Sequence, residues 1–155
     1  MSRTRVLAAG ARDAAAVLAL LRRQFRELEI AVPAARQERA VRGALRDPAR
    51  GTFLLLHVGG PPAGVAYLSY QWTLEHGGRI AWLEELYVEP EQRSRGLGAR
   101  LLRAALREAR RRGCAAVDLE VETAHPRAAN LYRRHGFRQL GRTRFVRRLA
   151  RTASP

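Results

Sequence analysis

The sequence predicts a single α/β (α+β) domain with four helices and a mixed, mostly antiparallel sheet of about seven strands. Runs of strand length, rich in aromatic and branched apolar residues, lie in the middle of the chain and are joined by short Gly and Pro turns. Apolar residues at helical spacing precede and follow this group. At 155 residues the chain has the length of one ordinary domain. The predicted element order is β-α-α-β-β-β-α-β-α-β-β.

The first third of the chain is predicted to hold one strand and two helices. The strand covers residues 4–8, and Asp13 can cap the helix that follows it. That helix carries apolar side chains at helical spacing: Val17, Leu20, Leu21, Phe25 and Leu28. Pro33 begins or precedes a second helix through Leu45, which ends before Asp47-Pro48.

Three further strands are predicted over residues 52–58, 64–72 and 80–88. The turns between them are rich in glycine and proline, and they are too short for a crossover helix. Strands joined in this way pair with their sequence neighbours and run in opposite directions. The middle of the chain is therefore predicted to be an antiparallel meander.

The last part of the chain is predicted to return to the sheet through a helix. Apolar residues at helical spacing over residues 98–112 indicate a helix that crosses over to a parallel strand at 116–122. Pro126 is a favourable first residue for the last helix. Residues 137–141 and 144–149 are then predicted to complete the sheet as its last two strands.

The charge balance is strongly basic, with a net charge of +15 in which all 29 basic residues are arginine. The absence of lysine and the abundance of alanine point to GC-rich codon usage as much as to a selected binding surface. Such a surface attracts nucleic acid non-specifically at low salt. The arginine clusters at 110–112 and 142–148 contain one aromatic residue, Phe145. We therefore expect no specific nucleic-acid partner.

Cysteine content and hydropathy indicate a cytoplasmic location. Cys114 is the single cysteine, so no internal disulfide can form. No apolar run is long enough for a membrane helix, and no His/Cys spacing suggests a metal site. We expect one domain over residues 1–150, a frayed tail over 151–155, and neither a metal nor a membrane partner.

One loop has the composition of a phosphate-binding site. It comprises Arg93, Ser94, Arg95, Gly96, Leu97, Gly98 and Ala99, and it opens the predicted helix. The glycines allow close approach of the backbone to a ligand, and the first-turn N–H groups of a helix attract anions. A nucleotide P-loop would need lysine, and a dinucleotide fingerprint would need glycine where Leu101 stands. The alternative is a glycine-rich helix start with incidental arginines.

A second motif downstream makes the pattern specific. Val88-x-Pro90-x-x-Arg93-x-x-Gly96-x-Gly98 is followed by a signature matched at Ala128, Leu131, Tyr132, Gly136 and Phe137. In this order and at this separation, the two motifs resemble those of the GCN5-related N-acetyltransferase (GNAT) superfamily. His125 stands where that signature has asparagine. The resemblance implies the GNAT fold and an acetyl-CoA-dependent enzyme.

The same resemblance implies where the cofactor binds. The backbone of Leu86, Tyr87 and Val88 is expected to hold the pantetheine arm, and the loop from Arg93 to Ala99 the pyrophosphate. The asparagine that His125 replaces helps to position cofactor or substrate in the family. His125 can donate one hydrogen bond there or act as a base, or it is an ordinary surface histidine.

Four side chains are candidates for proton transfer. Tyr132 matches the family tyrosine that protonates the leaving thiolate, although it could merely pack beneath the cofactor. Glu84, Glu120 and Glu85, in that order, are candidates for the base, and each could instead pair with an arginine. Glu84 and Glu85 are adjacent on a strand, so both can enter one site only if a bulge intervenes.

The expected acceptor is a primary amine of a small molecule, polyamine-like or other. Glu85 and Glu27 are candidate acceptor ligands, because in the family the first two helices form one wall of the acceptor site. A protein N-terminus or lysine is the alternative acceptor. A non-catalytic acyl-CoA-binding or nucleic-acid-associated module is the alternative of another class. A homodimer is possible, since family members often form one.

Overall fold

The computed structural model describes residues 3–149. Its elements, in chain order, are β1 (Thr4–Ala8), α1 (Ala14–Glu27), α2 (Ala34–Arg46), β2 (Gly51–Val58), β3 (Pro62–Thr73), β4 (Gly78–Val88), α3 (Leu97–Arg111), β5 (Val117–Leu119) and α4 (Pro126–Arg134). Short 3₁₀ turns lie at Ala11–Asp13 and Pro90–Gln92. The backbone divides after Glu120 into two compact units. The described elements follow the predicted order through α4.

The five described strands form one sheet in the order β1-β2-β3-β4-β5. The first four pair antiparallel, and β5 pairs parallel with β4 from Ala81↔Val117 to Leu83↔Leu119. The predicted meander and the predicted parallel return are both confirmed. The mixed, mostly antiparallel sheet is confirmed as well.

Both faces of the sheet are covered, which explains why β2 carries a continuous apolar run over residues 53–56. One face packs on α1 and α2 through buried side chains of helices and sheet, among them Val17, Leu20, Leu21, Val41, Phe53, Leu55, Val65 and Tyr87. Leu101, Leu102 and Ala105 of α3 are completely buried. The helices contribute their apolar stripes, and their arginine-rich sides remain exposed.

Asp13 occupies the N-cap position of α1 but does not cap that helix with its side chain. Its carboxylate accepts a hydrogen bond from the Gly10 N–H, at 2.8 Å. The bond closes the 3₁₀ turn before α1 and satisfies a donor outside the helix. The prediction located the helix start within a residue and misjudged the partner of the carboxylate.

The last two predicted strands are wrong, because the described residues 137–149 contain no strand. A strand exists only where its backbone groups pair with a neighbour. Four of the eight residues from 142 to 149 are arginine, and the apolar side chains among them, Phe145, Val146 and Leu149, are more than four-fifths exposed. The described sheet therefore has five strands rather than about seven. The predicted tail at 151–155 lies outside the described residues.

The fifth strand is also shorter than the predicted 116–122, since it ends at Leu119. Its last partner on β4 is Leu83, and the next residue of β4, Glu84, is displaced from the ladder. A displaced residue interrupts pairing locally. The irregularity in β4 thus coincides with the end of β5.

Candidate active site

The site is organised by a β-bulge in β4. On β3, Tyr67 lies opposite Glu85 and Leu68 lies opposite Leu83, so Glu84 has no partner. A bulge changes which side of the sheet the following side chains face. The sequence allowed Glu84 and Glu85 to serve one site only with such a bulge, and the bulge is present.

Beyond the bulge, successive residues of β4 face opposite sides of the sheet. Glu85 and Tyr87 share the face covered by α1, where Tyr87 belongs to the buried apolar cluster and Glu85 is hydrogen-bonded by Gln24. Leu86 and Val88 alternate with them onto the other face. The buried ring of Tyr87 leaves only its backbone for the cofactor contact that was predicted.

Glu85 is a carboxyl in an apolar environment. Burial raises its pKa from 4.5 to about 7, the neighbouring Glu84 carboxylate raises it further, and a hydrogen bond from Gln24 acts in the opposite direction. The Gln24 side chain is 8% exposed, and its amide oxygen has no partner in the described structure. A carboxyl of pKa near 7 is partly ionised at neutral pH, as a general base requires.

Glu84 is exposed, yet its negative charge raises the pKa of both Glu85 and Tyr67. Burial, and then the charge of Glu84, raise the pKa of Tyr67 to about 12, so the phenol stays protonated. The Tyr67 ring stacks on Phe53 with centroids 4.3 Å apart, which holds the ring on the α1 face. Glu84, Glu85 and Tyr67 thus form one electrostatic group at the bulge.

Glu120 lies in a different environment from the other two glutamates. It follows the end of β5 and is exposed. The alternation with Asp118 that the sequence suggested stops at Leu119, and Asp118 is hydrogen-bonded to His76 at 3.2 Å. Of the three candidate bases, Glu85 is the one that lies on the α1 face with a hydrogen bond from Gln24.

The predicted phosphate-binding loop has the backbone geometry of an anion site. Ser94 has φ 63° and Gly96 has φ 71°, and α3 begins at Leu97. The first backbone bond of the helix runs from the Arg100 N–H to the Gly96 oxygen, at 3.0 Å. The N–H groups of Leu97, Gly98 and Ala99 come before this first bond, so they donate to no carbonyl within the helix. A side chain placed on Gly96 would meet no atom within 4 Å, so the space beside the loop is open.

The two arginines of the loop make contacts within the protein. The Arg93 Nε–H donates to the Val88 carbonyl at 2.8 Å, and its terminal nitrogens donate to Glu27 at 2.7 and 2.8 Å. Arg95 donates to the Gln92 side chain. The side chain of Leu97 is buried, so Leu97 can offer a ligand little besides its backbone N–H.

A cavity of about 550 Å³ lies beside this loop, between the end of α1, the start of β3 and the end of β4. Its lining residues include Arg23, Arg26, Glu27, Ala63, Tyr87 and Glu89. The Tyr87 hydroxyl donates to Glu89 at 3.1 Å, and Arg23 is paired with Glu89. The predicted acceptor ligand Glu27 therefore borders a cavity, although it is bound to Arg93.

Sequence reasoning missed Gln24, Arg23 and Glu89. Gln24 carried a signal that could have been used, since it is the polar residue within the apolar stripe of α1. A polar side chain on a core-facing stripe needs a partner, and Glu85 supplies it. Arg23 and Glu89 carried no such signal, because one among 29 arginines cannot be distinguished by pattern.

The second unit contains the remaining predicted residues. His125 precedes α4 at its N-cap position without a side-chain cap, and its Nε2 lies 3.5 Å from a Glu122 carboxylate oxygen. Within α4, the Tyr132 ring packs edge-on against Phe137, with centroids 5.7 Å apart. The Phe137 N–H donates to the Tyr132 carbonyl at 3.1 Å. These contacts give a structural reason for the spacing of Tyr132 and Phe137 in the second motif.

Residues 3–149 contain neither a metal-binding cluster nor a membrane-spanning helix. No group of three or more His, Cys, Asp or Glu side chains in that range is arranged to hold a metal ion. Within the same range, every helix is too short or too polar to span a lipid bilayer.

Comparison with known proteins identifies the family. The model of the acetyltransferase (GNAT) family matches residues 14–137, which include the bulge, the loop and Tyr132. The chain belongs to this family. The family assignment made from the two motifs is therefore confirmed, and acetyl-CoA is the cofactor of GNAT acetyltransferases, as predicted.

Two curated relatives match parts of the chain. An uncharacterized N-acetyltransferase of Methanocaldococcus jannaschii is 32% identical over 88 residues, which are 56% of this chain and 39% of that protein. Thialysine N-epsilon-acetyltransferase of Bos taurus is 35% identical over 78 residues, 50% of this chain and 44% of that enzyme. The chain thus spans about two fifths of the length of these relatives.

A solved structure matches over nearly the whole chain. An integron cassette protein from the mobile metagenome of Cole Harbour Salt Marsh superposes with a TM-score of 0.83 at 26% identity. The match covers 95% of this chain and 91% of that one. Together with the family match, this superposition confirms the GNAT fold.

Proposed function

We propose that the protein transfers the acetyl group of acetyl-CoA to a primary amine of a small molecule, with Glu85 as the general base. Membership of the acetyltransferase family supports the reaction class. The observation that carries the role of Glu85 is its environment beside Gln24, where burial raises its pKa to about 7. The sequence ranked Glu84 first as base and named Glu85 as an acceptor ligand. The bulge supports the reverse, with Glu85 as the base and Glu84 as the residue that attracts the amine.

The chemistry explains why a base of this pKa is useful. When bound, acetyl-CoA supplies an activated thioester. An alkylamine has an unperturbed pKa of about 10.4, so at neutral pH it arrives protonated and unable to attack. A carboxylate in an apolar site can take that proton, and Gln24 holds the Glu85 carboxyl in place while it does so. The exposed Glu84 carboxylate adds an attraction for the incoming ammonium group.

The loop residues fit the anionic part of the cofactor. Left-handed Ser94 and Gly96 orient successive N–H groups toward one side, and the helix start adds its partial positive charge. The backbone N–H groups of Leu97, Gly98 and Ala99 would hold the pyrophosphate. This binding depends on main-chain atoms, so most side chains of the loop can vary.

The acceptor class follows from the charge at the bulge. Two carboxyl groups, Glu84 and Glu85, lie next to each other, which suits a cationic amine despite the basic surface. The thialysine acetyltransferase of Bos taurus acts, by its name, on an amino acid with a side-chain amine. Amines of that size and diamines are the acceptors that we propose. Tyr132 as the acid, His125 as a cofactor ligand, a homodimer and a cytoplasmic location stay predictions.

The test measures CoA release from acetyl-CoA with a panel of amino acids, diamines and aminoglycosides. We expect turnover with at least one of these classes. Glu85→Gln should lower kcat/KM for that acceptor by about 100- to 10,000-fold, the usual contribution of a general base. Glu38→Gln is the matched control, since Glu38 forms an ordinary exposed pair with Arg42 on α2.

Two results would count against the proposal. Wild-type protein that binds acetyl-CoA but acetylates no small amine would point to a protein acceptor. A Glu85→Gln variant with wild-type turnover, alongside an inactive Glu84→Gln variant, would return the base to Glu84.

A further inference from the structure

Arg93, the first residue of the phosphate-binding loop, is bound within the protein. A guanidinium has five N–H donors. Three of them are used here, one on the Val88 carbonyl and two on the carboxylate of Glu27. The fork-to-fork geometry with Glu27 is the strongest form of arginine–carboxylate pairing. The side chains of Arg93 and Glu27 are 33% and 43% exposed.

The surrounding residues extend this pair into a network that joins α1 to the end of β4. The Arg93 guanidinium lies over the Tyr87 ring, 5.5 Å from its centroid. Tyr87 donates to Glu89, which is also paired with Arg23, one turn before Glu27 on α1. Two arginines and two glutamates balance each other here. Arg93 therefore has little net charge left to offer a pyrophosphate.

The position of Arg93 gives the network a consequence for the loop. The next residue, Ser94, has a left-handed backbone that a non-glycine residue adopts at a cost, and Gly96 is left-handed as well. A loop of this kind keeps one conformation only if its ends are fixed. The far end is fixed by the buried Leu97 of α3, and the near end by Arg93.

We infer that Glu27 is a positioning residue for the cofactor, acting through Arg93 on the backbone N–H groups of the loop. The inference rests on the proposed function, since it assumes that the loop receives the pyrophosphate of CoA. It assigns Glu27 a different role from the acceptor contact that the sequence suggested. It also makes Arg93 a structural support of the loop, while binding itself falls to main-chain atoms.

The experiment compares donors with and without the pyrophosphate. Calorimetric titration of Glu27→Gln with CoA should give a dissociation constant about fivefold higher than wild type, the scale of one partly exposed ion pair. The kcat/KM for S-acetylpantetheine, which lacks the nucleotide and the pyrophosphate, should be unchanged. A variant that is merely less well folded would lose both activities together.

A double-mutant cycle tests whether Glu27 acts through Arg93. Glu27→Gln combined with Arg93→Gln should weaken CoA binding no further than Arg93→Gln alone. Glu38→Gln again serves as the control and should bind CoA as wild type does. The KM for the amine should not change in Glu27→Gln.

Three outcomes would overturn the inference. Unchanged CoA affinity with a raised KM for the amine would make Glu27 an acceptor ligand and leave the proposed function intact. Equal losses with acetyl-CoA and S-acetylpantetheine would show that Glu27 does not act on the pyrophosphate site. Wild-type protein that fails to bind CoA would overturn the proposed function itself, together with this inference.

Discussion

Replacing Glu85 by glutamine tests how strongly the carboxyl is desolvated at the bulge. Folding raises the pKa of Glu85 from 4.5 to about 7, first through burial and then through the charge of Glu84. The folded state therefore holds the proton more tightly than the unfolded state does. Stability must then fall as pH rises from about 4.5 to about 7. For these two pKa values, linkage gives a loss of about 2 to 3 kcal/mol between pH 5 and pH 8.

The assay is urea unfolding of wild type and Glu85→Gln at several pH values between 5 and 8. Glutamine has nearly the same size and does not titrate, so the difference in free energy of unfolding isolates the Glu85 carboxyl. That difference should change by about 2 to 3 kcal/mol in favour of the variant as pH rises across this range. The variant should thus gain stability relative to wild type between pH 5 and pH 8, and it should be the less active enzyme.

Glu84→Gln provides the matched control, because it removes the neighbouring charge and leaves the half-buried Glu85 carboxyl in place. Its stability should show the same downward trend with pH as wild type, shifted to slightly lower pH. A difference between Glu85→Gln and wild type that stays constant from pH 5 to pH 8 would refute the reasoning. Glu85 would then have an ordinary pKa, and the argument for its role as base would fail.

Three further predictions concern other parts of the chain. Gly96→Ala should weaken CoA binding in calorimetry and destabilise the fold by about 1 kcal/mol, because the φ of 71° at residue 96 is strained for any residue with a side chain. CoA binding as tight as in wild type would contradict this prediction. Glu108→Gln should lower the free energy of unfolding, measured in urea at pH 7, by about 2 kcal/mol. Burial opposes ionisation of Glu108, but hydrogen bonds from Arg112 and Arg111 outweigh burial and lower its pKa. An unchanged free energy of unfolding would contradict the pairing. Tyr132→Phe should slow CoA release with little change in acetyl-CoA affinity, and wild-type turnover would exclude the acid role.

The sheet and the helices were predictable because their patterns are local. A buried strand such as β2 or an amphipathic helix such as α3 is encoded in consecutive residues, and short turns leave the meander few alternatives. The backbone of the proposed cofactor loop was predictable for the same reason, since its glycines and the helix start are contiguous. Family resemblance then supplied the role of the loop.

The bulge and the last strands were not predictable from such patterns. A bulge is a mismatch of register between two strands, and the sequence of β4 alone does not contain the partner that reveals it. The ranking of Glu84 above Glu85 depended on that register. Residues 144–149 have strand-like apolar content, but pairing depends on a neighbour that local pattern cannot supply. The bonds of Arg93 to Glu27 join residues 66 positions apart, beyond the reach of any local rule.

The most direct test is the pH dependence of CoA release by wild type and Glu85→Gln with the same amine. The quantity to follow is the kcat/KM of wild type divided by the kcat/KM of Glu85→Gln. Ionisation of the acceptor affects both values equally and cancels, so this ratio reports the ionisation of the Glu85 carboxyl. The role of Glu85 as base predicts a ratio that rises with pH through about 7 and levels off roughly one pH unit higher, where Glu85 is almost fully ionised. A ratio that is flat across pH, or wild-type protein that releases no CoA with any amine, would contradict it.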